Sequence, residues 1–304
     1  MASIVFLDSP VGSGFSYARD PKGYDVGDYS SSLQVQRFLN KWFTDQPQYL
    51  SNPFYLEGDS YAGLVIPLIA HIISEVTKLT FVINCAMLQE LRKDRSLLLI
   101  SRQGYVVGNP MTDMKFDGNF RIPSAHGFGI ISDQIYEAAR KHCKGDYVNP
   151  ANQMCAEVLH TVNSYLAYFW MNNNLTRNAL GVKEGTTSEW IRCVKGLPYT
   201  FDLPSSIPYH LKLTRRGYRA LVYSGDHDMI VPMLGTQAWI RSLNFSVVDD
   251  WRAWHLDGQA AGFTIAYANN LTFATIKGGD HTASEYRAEE CFAMARRWLD
   301  IEPL

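Results

Sequence analysis

The sequence predicts an α/β fold: a mostly parallel central sheet with helices on both faces. Three observations predict it. Short apolar runs read as buried strands, amphipathic runs of helical period lie between them, and the two kinds alternate along most of the chain. At 304 residues the chain can bury one large core, so a single domain is expected.

Taken in order, Ile4 to Asp8 reads as a short buried strand that enters the turn-rich Pro10-Val11-Gly12-Ser13-Gly14. Val35, Phe38, Leu39, Trp42 and Phe43 then recur at helical spacing, in a helix that should end before Pro47. Phe54-Tyr55-Leu56 is a second strand, followed by an apolar helical run from Leu64 to Val76. Tyr105-Val106-Val107 and Ala220 to Tyr223 are further strands, Ser132–His142 and Met233–Leu243 further helices, and Phe273 to Ile276 the last strand. The final helix is expected to bury Phe292, Ala295, Trp298 and Leu299, with Arg296 and Arg297 near its C-terminal end, where cations suit the dipole. Residues from about 144 to 209 break the alternation and are rich in Asn, Tyr and Trp, so they read as a lid-like insertion beside the site. Thr77 to Ser101, charged in its middle, receives no assignment.

Composition narrows the function. A net charge of −2 with 19% charged residues lacks the basic excess that a phosphate-binding surface needs, which argues against a nucleic-acid partner. The longest apolar stretch, Leu64 to Ile73, is interrupted by Pro67 and His71 and falls short of the roughly 20 residues of a membrane span. His71 reads as a satisfied core residue. No signal peptide is visible at the start, yet Asn174, Asn244 and Asn270 begin N-glycosylation sequons, which matter in a secreted protein. The five cysteines are an odd set, and Cys143 and Cys155 are close enough to staple a short loop.

The chemistry is carried by three strand-to-loop junctions. Gly58-Asp59-Ser60-Tyr61-Ala62-Gly63 lies between a strand and a helix, where a tight turn holds a serine proud of the sheet. The Tyr61 N–H, at the helix N-terminus, then faces the place where an oxyanion would form. Tyr223-Ser224-Gly225-Asp226-His227-Asp228 and Ile276-Lys277-Gly278-Gly279-Asp280-His281 bring a carboxylate and an imidazole to the ends of two later strands. A serine hydroxyl needs a base, and a buried carboxylate must fix the tautomer of that base and stabilise its charged form. Ser60, Asp228 and His281 in this order form the triad expected of an α/β-hydrolase. A metal site at Asp226-His227-Asp228 is disfavoured because H-E-x-x-H and paired cysteine spacings are absent. Gly12-Ser13-Gly14 lacks the third glycine of a dinucleotide loop and reads as a tight turn. No cofactor or metal is expected.

Together with Asp8-Ser9-Pro10-Val11-Gly12-Ser13-Gly14-Phe15-Ser16-Tyr17, Gly104-Tyr105-Val106-Val107-Gly108-Asn109-Pro110 and Gly279-Asp280-His281-Thr282, these segments resemble serine carboxypeptidase-like proteins across nearly the whole chain. The resemblance implies Ser60, Asp228 and His281 as the triad, Tyr61 N–H as an oxyanion donor, a Cys143–Cys155 disulfide, and Cys193 without its family partner. It implies a small ester or peptide as substrate and a secretory, vacuolar or extracellular setting; it leaves the oligomeric state open. Family carboxypeptidases usually carry Glu before the nucleophile to bind the substrate carboxylate. Asp59 stands there, as in the plant acyltransferase-like members, which take an acyl group from a glucose ester. The segment 1–304 is expected to be an incomplete domain lacking the family's Asn-Gly-Gly-Pro-Gly oxyanion segment, so the competing reading is a non-catalytic or impaired fragment. Asp280 replaces the family's glycine beside the histidine.

Overall fold

The structure, a computed structural model, describes residues 3–13, 16–86, 104–165 and 199–304. Gly14, Phe15, Asn174, Cys193, most of the segment 77–101 and residues 166–198 of the expected insertion lie outside them.

Strand β1, Val26–Gly27, leads into helix α1, Asp28–Asp45; then come β2, Tyr55–Asp59, α2, Ala62–Ala86, and β3, Gly104–Gly108. Four helices follow in the middle of the chain: α3, Met114–Asn119, α4, Arg121–Gly127, α5, Asp133–Cys143, and α6, Gln153–Tyr165. The last part comprises β4, Tyr199–Thr200, α7, Ile207–Arg215, β5, Arg219–Gly225, α8, Met233–Ser242, β6, Val247–Leu256, β7, Gln259–Tyr267, β8, Leu271–Ile276, α9, Ala283–Tyr286, and α10, Ala288–Leu299.

Six strands form one sheet in the order β2-β3-β5-β8-β7-β6. The first four run parallel, and β7 and β6 add an antiparallel edge. Successive side chains of a strand point to opposite faces, and here both faces are buried. Tyr105, Val107, Ala220, Val222 and Phe273 pack with Ile66 of α2, Leu213 of α7 and Trp239 of α8. Val106, Leu221, Tyr223, Ala274 and Ile276 pack on the other side with Cys291, Met294 and Trp298 of α10. Helix α1 lays Leu39 and Phe43 on Ile69 and Ile73 of α2, with Val35, Phe38 and Trp42 alongside. The small ladder β1–β4 joins the start of α1 to the segment that precedes α7.

Helix α2 contains Pro67, which has no N–H and leaves the Gly63 carbonyl one turn earlier without its helical donor. The buried Ser206 hydroxyl donates to that carbonyl instead, at 2.9 Å, so the helix continues through the proline and is tied to the start of α7. The helix runs on to Ala86, into the stretch that received no sequence assignment. Cys143 at the end of α5 is bonded to Cys155 in α6.

Three readings are corrected, and one hairpin is added to the expected elements. Ile4–Asp8 forms no strand and lies exposed, Phe6 by 91% and Ile4 by 69%, because apolar propensity makes a strand only where a neighbouring backbone completes the ladder. On α10 the buried face is Cys291, Met294 and Trp298, and Phe292 points to solvent at 69% exposure; the helix is rotated from the face that counting large apolar residues selects. The hairpin β6–β7 was not anticipated, although Asp257 and Gly258, with φ of 48° and 76°, form a two-residue connection of the type that the Asp-Gly pair favours. His71 is only partly buried; its ring lies 5.1 Å from that of Tyr209, and its Nδ1 is 3.8 Å from Glu75.

Candidate active site

Three parallel strands, β2, β5 and β8, end on the same side of the sheet, and each loop that leaves them carries one of the expected residues. Ser60 follows β2 directly with φ of 56°, a left-handed conformation that costs a non-glycine residue about 1–2 kcal/mol and is held by its surroundings. Its N–H donates to Gly108 O at 2.9 Å, and its carbonyl accepts from Met111 N at 2.9 Å. Gly63 is required by close approach: a Cβ there would collide with Pro110 and the Met111 carbonyl. Gly58 is required likewise, since a Cβ would meet Ala62. The motif glycines therefore let the turn and helix sit tightly on the β3 loop.

The side chains converge. Ser60 Oγ is 2.7 Å from His281 Nε2, and His281 Nδ1 is 2.9 Å from Asp228 Oδ2. With a carboxylate facing Nδ1, the proton of the neutral ring sits on Nδ1, and Nε2 is left to accept from the hydroxyl. Asp228 is fully buried at its side chain, and its other oxygen accepts from the backbone N–H groups of Ile230 at 2.7 Å and Val231 at 3.1 Å. Asp226 reaches elsewhere, accepting Gly278 N at 2.7 Å and so fastening the β5 loop to the β8 loop. The His227 ring packs edge-on to Phe128. Asp226, His227 and Asp228 therefore serve three different partners. Asp280 is exposed and turns its carboxylate back to the His281 N–H at 2.8 Å.

Asp59 lies immediately before Ser60. Burial pushes its carboxyl up to about 7, against the pull of His281 and with that of Asp228, Glu285 and Glu57. Its Oδ1 is enclosed near Gly108, where a Cβ would also strike the Tyr223 hydroxyl. Tyr61 N–H stands at the N-terminal end of α2, and its phenol donates to Asp28. Chemically, a hydroxyl hydrogen-bonded to a ring whose far nitrogen faces a buried carboxylate can lose its proton as it attacks an acyl carbon.

Two residues of this region had no role in the sequence reading. Asn109, met there only as part of a motif, donates from Nδ2 to Asp228 Oδ2 at 2.8 Å. Asp28, fully buried, accepts from Tyr61, from Tyr199 at 2.9 Å and from Leu203 N at 2.9 Å. Their partners lie far off in the chain, so no local pattern marks them. Asn244 and Asn270 are exposed, both with positive φ.

The family model described as "Serine carboxypeptidase" matches residues 1–168 and 157–301. The chain belongs to the serine carboxypeptidase family. Its relatives include serine carboxypeptidase-like 3 of Arabidopsis thaliana, 43% identical over 335 residues that cover 100% of this chain and 72% of that protein. Serine carboxypeptidase-like 17 of the same plant is 44% identical over 332 residues, covering 100% of this chain and 72% of its own length. Among solved structures, the family fold is seen in Kex1(delta)p, a prohormone-processing carboxypeptidase from Saccharomyces cerevisiae, with a TM-score of 0.65, 18% identity and coverage of 97% of this chain and 72% of that one. The architecture is accordingly an α/β-hydrolase fold. Among the described residues no helix is long and apolar enough to cross a membrane.

Proposed function

We propose that this family member is a serine enzyme that works through an ester on Ser60, with His281 as base and Asp228 as the carboxylate that orients it. The observation that carries the reading is the continuous hydrogen-bond chain from Ser60 Oγ through His281 to Asp228, at 2.7 and 2.9 Å. Ser60 Oγ attacks the substrate's acyl carbon while His281 Nε2 takes the hydroxyl proton. The oxyanion that forms faces Tyr61 N–H and the N-terminus of α2. As the tetrahedral intermediate collapses, the imidazolium returns the proton to the leaving group, which departs and leaves the acyl group on Ser60. Water or an alcohol, deprotonated by the same imidazole, then takes the acyl group and frees the serine.

Two substrate classes fit: a peptide losing its C-terminal residue to water, or a 1-O-glucose ester giving its acyl group to an alcohol. Asp59 favours the second. It is one methylene shorter than the glutamate of the family's carboxypeptidases, and its Oδ1 is enclosed. The disulfide between Cys143 and Cys155 and the exposed Asn244 and Asn270 support a secretory, vacuolar or extracellular setting with glycans at those asparagines. The experiment offers the protein a hydroxycinnamoyl glucose ester with an alcohol acceptor, and separately a blocked dipeptide. Faster release of glucose is expected; faster release of the C-terminal amino acid would assign the protein to the peptidases.

A further inference from the structure

The four residues from Gly108 to Met111 bond to Ser60, to Asp228 and to the loop that carries His281. Gly108 O and Met111 N hold the two backbone polar groups of Ser60, each at 2.9 Å. Asn109 N donates to Tyr223 O at 2.7 Å, fixing the segment to the strand that carries Asp228. The Asn109 side chain, fully buried, donates to Asp228 Oδ2 at 2.8 Å and reaches the Asp280 carbonyl, in the loop of His281, at 3.3 Å. Both facing atoms are acceptors, so the amide nitrogen must point at them. Asp228 Oδ2 is also the oxygen that faces His281 Nδ1.

We propose that Asn109 is a positioning residue of this centre: its amide holds Asp228 Oδ2 against His281 while the same short segment holds the backbone of Ser60. Asn109 acts through Asp228 and touches no reacting atom. Without it, Oδ1 stays fixed by the Ile230 and Val231 amides, but Oδ2 keeps only the histidine and can turn away from it. The inference rests on the proposed role of Ser60, and the backbone offers a clean way to test it. At φ of 42°, Asn109 occupies a left-handed position that Gly and Asp also tolerate, so Asn109→Gly deletes the amide and Asn109→Asp exchanges donor for acceptor without opposing the chain path.

The test is the rate at which a fluorophosphonate labels the full chain, per folded molecule, as a function of probe concentration. A hydrogen bond to a charged group, lost from the attacking geometry, corresponds to a fall of about 10–100-fold for Asn109→Gly. The fall should lie in the maximal rate of labelling, with the half-saturating probe concentration unchanged. Asn109→Asp should be slower still, since it sets a carboxylate against a carboxylate. A merely structural role reverses that order, because Asp keeps the shape that Gly leaves empty. Labelling of both variants at the wild-type rate, or Asn109→Asp faster than Asn109→Gly, would overturn the inference alone. A wild-type chain that is not labelled, or is labelled equally after Ser60→Ala, would overturn it together with the role of Ser60.

Discussion

The Tyr61 phenol donates to the carboxylate of Asp28, which stands at the first turn of α1 and takes two further donors, Tyr199 and the Leu203 amide. One buried carboxylate thus ties the residue after Ser60 to a distant helix and to β4. Burial, and then this bond, hold the Tyr61 hydroxyl protonated well above the usual phenol range. Tyr61→Phe should lower stability by about 1–3 kcal/mol, the size of a hydrogen bond to a charged group. Asp28→Ala should cost more, because two phenols and a buried amide then lose their acceptor together. Urea unfolding decides this, and a midpoint for Tyr61→Phe equal to that of the wild type would contradict it.

Ser60→Ala should abolish fluorophosphonate labelling while leaving the circular dichroism spectrum unchanged, since the hydroxyl is hydrogen-bonded to an imidazole nitrogen and holds no strand or helix in place. Persistent labelling would move the nucleophile elsewhere.

Asp59 gives the site a pH signature. With its carboxyl raised to about 7, it is protonated below that pH and able to donate to a substrate carboxylate. Above it, the group is charged and repels one. KM for a peptide with a free C-terminal carboxylate should therefore rise as pH rises through about 7, whereas KM for an uncharged glucose ester should stay level. Asp59→Asn should remove the difference. Parallel pH profiles for the two substrates in the wild type would refute this role.

Stability should also favour mild acid. Burial raises both Asp59 and Asp117 to about 7 and lowers His210 to about 3. Between about pH 5 and 6.5 the two folded carboxyls hold protons that the unfolded chain has released, while folded His210 refuses one that the unfolded chain takes. Counting these three groups, the folded state binds one net proton more, so stability falls as pH rises through this window, by roughly 1.4 kcal/mol per unit, and Glu57, also raised by burial, acts in the same direction. Asp117→Asn should flatten the slope. Urea midpoints at several pH values provide the measurement; a wild-type slope of opposite sign would show that the carboxyls are not raised.

Replacing Cys143 and Cys155 together by serine opens a short loop between α5 and α6, whose sequence separation is 12. Chain entropy alone gives a cost of about 3 kcal/mol. Both sulfurs belong to a cluster with Ile122, Ala125, Ile131 and Leu159, so the loss should appear as earlier melting of that lobe, followed by the ellipticity of its helices. No change in melting on reduction would argue that packing alone holds α6.

The strands and loops that build the site were legible because each is a short apolar run that stops at glycine or a small polar residue. β3, β5 and β8 are buried on both faces, and burial writes itself as short runs without charge inside them: Tyr105-Val106-Val107, Ala220-Leu221-Val222-Tyr223 and Phe273-Ala274-Thr275-Ile276. β6 carries Asp249, Asp250, Arg252 and His255 because it is the last strand of the sheet, and that polarity hid it. Ile4–Asp8 erred in the opposite direction, its apolar side chains lying open. Ser60, Asp228 and His281, which the structure brings into contact, were selected from their places after strands. Asn109 and Asp28 were not, since Asn109 meets Asp228 across 119 residues of chain and Asp28 meets Leu203 across 175.

Ser60 and His281 are 221 residues apart in sequence and meet only because β2 and β8 lie in one sheet with β3 and β5 between them. No local segment can bring them together, and parallel pairings over such spans are slow to form. During refolding, helical ellipticity should return before fluorophosphonate reactivity, so the serine becomes a clock for the last step of sheet assembly. A partly folded chain would then stay silent toward the probe, because the imidazole that Ser60 faces reaches it only when β8 has joined the sheet.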